Sequence, residues 1–336
     1  MADADLRQLQ RMAQAEGNVE SQAAFLRQKI REGADDAQLA ELLRSIRSNV
    51  DEIMELTGLS ESRRLLVKAR MLIEPQIDFA LSYAIQPREG DAPLPSREAI
   101  LASVMTILTP ERAREILRFH EAKLVLTPIT SLERYLEELN QTSQTMERCR
   151  VPYVSEFAQN QLNAQATQAQ VEANKIKSWK FAISEGAQTF DIPEWDNGRE
   201  THQQRIERFN GRFAKSNILR LDYQSYIALM VQDLLKGRPI DCKYRNDSTS
   251  INAQTDTWQY TLMNETDEKQ GLVGTAFWDG SFRYVNLFSD HLDNRDGVAR
   301  FRPAVMGEIL GFDFCPFFNF FLSSGVAEEY FLRCGE

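Results

Sequence analysis

The sequence predicts an α+β protein in which a helical N-terminal region precedes a central α/β segment and an antiparallel, β-rich C-terminal part. Three observations lead to this prediction. Apolar residues recur every three or four positions in residues 1–120, which is the spacing of one helix face. From residue 121, an apolar run leads directly into an amphipathic segment, as a strand followed by a helix would. Beyond Pro239, short apolar runs alternate with clusters of Asn, Asp, Gly and Ser, which are typical of strands joined by turns.

The chain of 336 residues favours more than one hydrophobic core, since single cores stop growing at roughly 250–300 residues. We expect a helical region at residues 1–120, an α/β segment at 121–240 and a β-rich segment at 241–336. The alternative is that residues 121–336 form one domain. A composition of 43% hydrophobic and 26% charged residues is that of a folded globular protein.

The net charge of −10 disfavours nucleic-acid binding, because phosphate backbones attract basic surfaces. One local basic face occurs in the first half, and we expect it to face solvent or to pair with Glu at helical spacing. Its residues are Arg63, Arg64, Lys68 and Arg70.

The N-terminus carries acids and glutamines where a secretory signal would carry basic and apolar residues, and no run approaches the ~18 apolar residues that span a bilayer. We therefore expect a cytoplasmic protein that does not span or bind a membrane. The cysteines lie far apart without a Cys-x-x-Cys pair, which predicts free thiols. They are Cys149, Cys242, Cys315 and Cys334.

Helix signals are clearest in the first half of the chain. One helix is predicted from a cap at Asp35 to a stop at Gly58, and Pro75 is expected to begin or kink a turn. Ser96 and Thr109 are predicted to cap two further helices. The apolar face of the helix that begins at Asp35 comprises Leu39, Leu43, Ile46, Val50 and Ile53.

The second half is predicted to mix strands and helices. A buried strand at Ala122–Thr127 should end at Pro128, and a capping box at Thr130–Glu133 should open the next helix. The other predicted strands are Trp179–Ser184, Asp256–Leu262, Leu272–Trp278, Phe282–Phe288 and Arg300–Ile309, and the other predicted helices are 153–175, 199–215 and 222–236.

Motifs for catalysis are missing from the sequence: it contains no Gly-x-Ser-x-Gly, Walker-type or dinucleotide-binding pattern, so we assign no catalytic residue and expect no cofactor. One acidic stretch around Trp195 supports an alternative, a hydrolase in which two carboxylates act as acid and as nucleophile or base. Its residues are Glu185, Asp191, Glu194 and Asp196. A solvated loop is the simpler interpretation of this stretch.

Aspartates recur every third residue at Asp290, Asp293 and Asp296. Such an oxygen-rich segment can hold calcium, but the order of residues differs from that of an EF-hand loop. We therefore expect a hydrogen-bonded turn and assign no metal.

The segment around Phe277–Val305 is the most distinctive in the chain, and the residues that mark it are Trp278, Asp279, Gly280, Ser281, Asn294, Arg295, Phe301, Arg302 and Pro303. In these residues, positions 270–310 resemble the C-terminal part of C-type-lectin-fold proteins of the formylglycine-generating-enzyme-like group, which includes the variable proteins of diversity-generating retroelements. The resemblance implies a C-type-lectin-like C-terminal part. It also implies a ligand-facing surface formed by Tyr284, Asn286, Ser289, Asp290, His291, Asp293 and Asn294. The simpler interpretation is a hairpin whose polar turns carry no ligand.

The C-terminal segment is rich in Tyr, Asn, Asp and Ser, the residue types of adaptable binding surfaces. We therefore expect a binding or structural module whose partner is another protein or a small ligand. The hydrolase is one alternative, and a structural component of a virus or phage is another. Formation of a homo-oligomer stays open.

Overall fold

The computed structural model of the chain describes residues 18–46, 49–144, 153–168, 175–186, 200–235, 260–279, 284–295 and 299–309. These residues form ten helices and nine strands, and the strands make two sheets, which confirms the α+β class. The four cysteines and the predicted strand residues 256–259 and 282–283 lie outside this part of the chain.

The helices are α1 (Val19–Arg31), α2 (Asp36–Ser45), α3 (Val50–Leu56), α4 (Glu61–Ser82), α5 (Arg97–Ile107), α6 (Pro110–Ile116), α7 (Leu132–Gln144), α8 (Glu156–Gln168), α9 (His202–Phe213) and α10 (Tyr223–Leu235). The strands are β1 (Ala122–Ile129), β2 (Tyr153–Val154), β3 (Ser178–Glu185), β4 (Leu219–Arg220), β5 (Tyr260–Asp267), β6 (Leu272–Asp279), β7 (Tyr284–His291), β8 (Ala299–Phe301) and β9 (Pro303–Glu308).

Helices α1–α4 share a small hydrophobic core of their own. Asp35 caps α2 in a capping box with Gln38, as its position predicts. The single helix predicted up to Gly58 is wrong, however, because the chain leaves the helical conformation at Ile46 and α3 starts after Asn49. Asn49 stands directly before α3, and Asn is unfavourable inside helices, a local preference that the apolar spacing did not reveal.

The basic face of α4 is paired with acids. Arg63 pairs with Asp36 of α2 at 2.6 Å, and Arg64 pairs with Glu55 of α3 at 3.8 Å. Lys68 pairs with Asp51 of α3, and Arg70 pairs with Glu74 within α4 at 3.4 Å. Pairing with Glu at helical spacing therefore holds for Arg70, whereas the other three cations reach the preceding helices.

Helix α4 continues through Pro75, so the turn predicted there is wrong. The next residue, Gln76, donates from Nε2 to the carbonyl of Leu72 (3.1 Å) and accepts the backbone N–H of Leu124 in β1 (2.8 Å). Proline leaves the carbonyl of Met71 without its usual helical donor, and the packing of α4 against β1 offsets this loss, which is a tertiary effect that a local pattern does not contain.

The first sheet has the strand order β1-β3-β9-β4 and is antiparallel throughout. Strand β1 lies at its edge and continues past Pro128, where the sequence predicted its end; Pro128 pairs with Trp179. An edge strand tolerates proline because one side of it needs no ladder donor.

The second sheet has the order β2-β7-β6-β5-β8, with antiparallel pairing at its centre and parallel pairing at both edges. The strand predicted at Arg300–Ile309 is divided at Arg302: β8 belongs to this sheet, whereas β9 belongs to the first. Residues Asn264 and Leu221 also join the sheets, since the Asn264 N–H donates to the Leu221 carbonyl at 3.0 Å.

Helix α10 is buried from Tyr223 to Leu234 and contacts strands of both sheets. The Tyr223 hydroxyl accepts the N–H of Thr275 at 3.2 Å and donates to the carbonyl of Phe288, two residues that face each other across β6 and β7. A Cβ added at the neighbouring Gly274 would lie 2.7 Å from this hydroxyl oxygen, so glycine is required there for close approach.

The remaining helix starts are largely as the sequence predicts. Ser96 and Thr109 cap α5 and α6 with their side-chain oxygens. At α7, Ser131 accepts the N–H of Arg134 (3.4 Å), while Thr130 donates to the Lys175 carbonyl, so the cap lies at Ser131, one residue after the predicted Thr130. None of the helices in the described ranges is long and apolar enough to cross a membrane.

Candidate functional site

The candidate site lies where the N-terminus of α9 meets the turn that follows β7. Thr201 caps α9. The first two helical N–H groups, of His202 and Gln203, donate to the carbonyls of Asn294 and Leu292, both at 2.9 Å. Because the first N–H groups of a helix have no partner inside it, the turn supplies acceptors that α9 would otherwise lack.

The carboxylate of Asp290 is the centre of this junction. Its Oδ2 atom lies 3.0 Å from His202 Nε2 and accepts the Tyr260 hydroxyl at 3.1 Å. The Asn294 side-chain amide donates to both carboxylate oxygens at 3.0 and 2.9 Å, and the His291 N–H donates to Oδ1 at 2.8 Å. Groups from α9, β5, β7 and the turn therefore converge on one side chain.

These contacts keep Asp290 ionised at neutral pH. Burial raises the pKa of Asp290, but the hydrogen bonds from His202, Asn294 and the His291 backbone outweigh it and lower this pKa to about 2. An ionised carboxylate only accepts hydrogen bonds, so His202 Nε2 carries a proton and donates it. The contact is consequently charge-assisted on the acceptor side, which makes it stronger than a bond between neutral groups.

The other ring nitrogen of His202, Nδ1, is buried and has no hydrogen-bond partner in the described part of the chain. The imidazole ring itself is fully buried. A His–Asp pair of this kind can orient a general base, but a base must reach the proton that it removes. In the geometry observed, His202 serves to position Asp290 and the turn.

The residues that the sequence assigned to a ligand-facing surface are distributed along β7 and the turn. His291, Asp293 and Asn294 are exposed, and Ser289 and Asp290 are partly buried. Asn286 is only 7% exposed and lies between Tyr153 and Phe277 in the sheet. Tyr284 begins β7 opposite Asp279. The exposed members therefore gather at the end of β7.

Sequence reasoning missed His202 and Tyr260. His202 is 88 residues from Asp290 and Tyr260 is 30, so no local spacing connects these residues. The capping box of Thr201 and Gln204 marks the start of α9 in the sequence, but nothing in it indicates which residues lie against that start.

The predicted hydrogen-bonded turn is present at Asp290, whose oxygens are bound by N–H and O–H donors. Asp293 is exposed, and Asp296 lies outside the described residues. In the described ranges, no three His, Cys, Asp or Glu side chains are grouped so that they could hold a metal ion.

Of the acidic stretch proposed for a hydrolase, Glu185 is described, whereas Asp191, Glu194 and Asp196 lie outside the described residues. The Glu185 side chain is buried and accepts the backbone N–H groups of His120 (2.7 Å) and Glu121 (3.0 Å). This carboxylate therefore ties the end of β3 to the turn before β1.

Comparison of the chain with protein-family models, with curated proteins and with solved structures finds no match in any of the three. The C-type-lectin-like resemblance therefore stays a prediction, and arguments about function depend on the geometry of the chain itself.

Proposed function

We propose that the protein is a binding module for another protein or a small ligand, and that the turn Asp290–Arg295 is its recognition surface. The observation that carries this proposal is the anchoring of Asp290 by the buried side chains of His202 and Tyr260, which fixes the turn from its buried side.

A fixed turn is suited to binding because association is opposed by the loss of conformational freedom at the contact surface. Here much of that ordering is present before a partner arrives. His291, Asp293, Asn294 and Arg295 are exposed around the anchored carboxylate. The side chains of His291, Asp293 and Arg295 offer an imidazole, an acid and a guanidinium, which favours a polar partner with groups of both charges, whereas the Asn294 amide is engaged with Asp290 and with the Arg295 N–H.

The test is to replace His291 and Asp293 together by Ala. Neither side chain of this pair takes part in anchoring Asp290, so the double variant should keep the thermal stability of the parent. A matched control is Arg27→Ala with Glu41→Ala, which removes one exposed cation and one exposed acid from α1 and α2.

Proteins and small molecules that copurify with each variant from an extract of the source organism are quantified by mass spectrometry. We expect components retained by the parent and by the control to fall at least about tenfold with the His291/Asp293 variant, which is the loss of one or two good polar contacts. Equal retention by all three forms would refute the assignment of the turn.

A further inference from the structure

Three arginines from different helices converge on Glu74 in the middle of α4. Arg44, near the end of α2, pairs with Glu74 Oε2, and Arg70 of α4 approaches the same oxygen at 3.4 Å. Arg97, the first residue of α5, lies 3.3 Å from Glu74 Oε1. We call Arg44, Arg70 and Arg97 the arginine cluster.

Positive charge is in excess at this cluster. Besides Glu74, the carboxylate that pairs with it is Asp78, which lies 3.4 Å from Arg97 Nε. Within the described residues no other carboxylate forms an ion pair with these guanidinium groups. The Asp78 side chain is 70% exposed and therefore strongly hydrated, whereas that of Glu74 is only 14% exposed. Two carboxylates thus face three guanidinium groups, on a protein whose net charge is −10.

The arginine cluster also has N–H donors that its ion pairs do not use. A guanidinium group presents its N–H donors in a planar fork, and the ion pairs use only one or two nitrogens of each arginine. None of the nitrogens of Arg70 or Arg97 is among the buried unpaired atoms of the described chain, so their remaining donors reach solvent. An incoming anion could accept several hydrogen bonds here without first breaking the existing pairs.

Glu74 holds the three arginines together. Burial raises the pKa of Glu74, but the hydrogen bonds and charges of Arg44, Arg70 and Arg97 outweigh burial and lower this pKa. Glu74 is therefore ionised, and it keeps like charges close that would otherwise separate. Helix α4 contributes residues to both hydrophobic clusters, so the guanidinium groups sit on a packed framework.

We propose that the arginine cluster is a binding site for a phosphoryl group, with Glu74 as the internal counter-ion that preorganises the site when it is empty. A phosphoryl dianion matches the cluster in charge, and its oxygens accept the paired donors of several guanidinium groups at once. The site is independent of the Asp290 turn.

The test is a titration of the full chain with inorganic phosphate and with O-phosphoserine at constant ionic strength, followed by calorimetry and by the midpoint of thermal unfolding. We expect saturable binding of at least one probe and a rise in that midpoint, with no such rise in chloride. The tighter probe identifies the source, a free phosphate ion or a phosphomonoester. Binding of neither probe overturns the proposal.

Variants distinguish a phosphoryl-binding site from a structural hub, that is, a cluster of ion pairs that only stabilises the fold. Arg70→Ala should weaken binding about tenfold or more, the effect of one charge-assisted contact, and Arg44→Ala provides the same test at a more exposed position. The control Arg64→Ala, on the same helix, breaks a pair with the 72% exposed Glu55 and should leave binding unchanged. Equal binding by the parent, Arg44→Ala and Arg70→Ala would mean an adventitious ion only.

Glu74→Gln gives an effect of opposite sign. Removing the internal carboxylate leaves three guanidinium groups with the exposed Asp78 as their one remaining counter-ion among the described residues, so this variant should melt at a lower temperature without phosphate but bind phosphate several-fold more tightly than the parent. A structural hub predicts the lower melting temperature alone, and that result would overturn the proposal.

Discussion

Charged side chains in the helical region pair with one another while staying in contact with water: the partners of Arg64 and Lys68 are carboxylates whose side chains are about 70% exposed. Around the two sheets, by contrast, several buried polar side chains bind the backbone. Glu185 accepts two backbone N–H groups, and the Tyr223 hydroxyl joins the backbones of β6 and β7. A surface pair can be lost at little cost, whereas a buried group that loses its partner pays the full cost of desolvation. We therefore expect substitutions around the sheets to matter far more.

The largest effect is expected for Gly274→Ala. The added methyl group would lie 2.7 Å from the Tyr223 hydroxyl oxygen, which is held between two strands and cannot move away freely. Overpacking of this kind should lower the free energy of unfolding by about 2–3 kcal/mol, measured by urea denaturation. A change below about 0.5 kcal/mol would show that the contact is looser than described.

The Asp290 junction should give the next largest effect. Asp290→Asn keeps the shape of the side chain but removes its charge, and the variant should be about 1–2 kcal/mol less stable at pH 7. The lowered pKa of Asp290 sets the direction of this effect, and solvent screening of the partly exposed carboxylate limits its size. The pKa of Asp290 is about 2 in the folded protein against an ordinary value of 3.8. The folded state thus binds fewer protons, and this stabilisation is lost as the pH falls through that interval.

The measurement for Asp290 is the difference in unfolding free energy between the parent and Asp290→Asn from pH 7 to pH 2. We expect the difference to be constant down to about pH 5 and to shrink below it. A difference that does not depend on pH would mean that the charge of Asp290 does not stabilise the junction.

Gly211→Ala is the counterpart of Gly274→Ala and should stabilise. Gly211 lies inside α9, is exposed, and has no atom within 4 Å of an added Cβ. Alanine restricts the unfolded chain and favours the helix, so the free energy of unfolding should rise by roughly 0.5–1 kcal/mol. Destabilisation in the same urea experiment would contradict the geometry of α9.

Arg64→Ala should have the smallest effect. Its ion pair with Glu55 is long, at 3.8 Å, and Glu55 is largely in water. A loss of less than about 0.5 kcal/mol is expected, and it should shrink further in 1 M salt. A loss above about 1 kcal/mol would contradict the expectation that polar contacts in the helical region stabilise the protein less than those around the sheets.

The class of the fold, several caps and the central strands follow from local signals. Ser96 and Thr109 stand before helical runs, and β6 is an apolar run between turns. The features that failed depend on distant partners. Pro75 remains in a helix because α4 packs on β1, and Pro128 remains in a strand because β1 lies at a sheet edge. A local pattern contains neither fact.

The candidate site divides in the same way. Asp290 and Asn294 were assigned to a ligand-facing surface through the resemblance of residues 270–310 to C-type-lectin-fold proteins, and the structure places the two side chains in contact. His202 and Tyr260 reach Asp290 only through the tertiary arrangement of α9 and β5. The resemblance thus pointed to these two residues, but the groups that hold Asp290 in place depend on the fold.

The passage of the chain from β8 to β9 through Arg302 links the two sheets in how they unfold. Strand β8 pairs in one sheet and β9 in the other, while the buried Arg302 donates to the Glu185 carbonyl at 2.6 Å and accepts the Leu221 N–H at 3.0 Å. Unfolding of either sheet would displace this short connection and expose the buried guanidinium group of Arg302. We expect hydrogen exchange in β6 and in β3 to report the same opening free energy, as for a single cooperative unit.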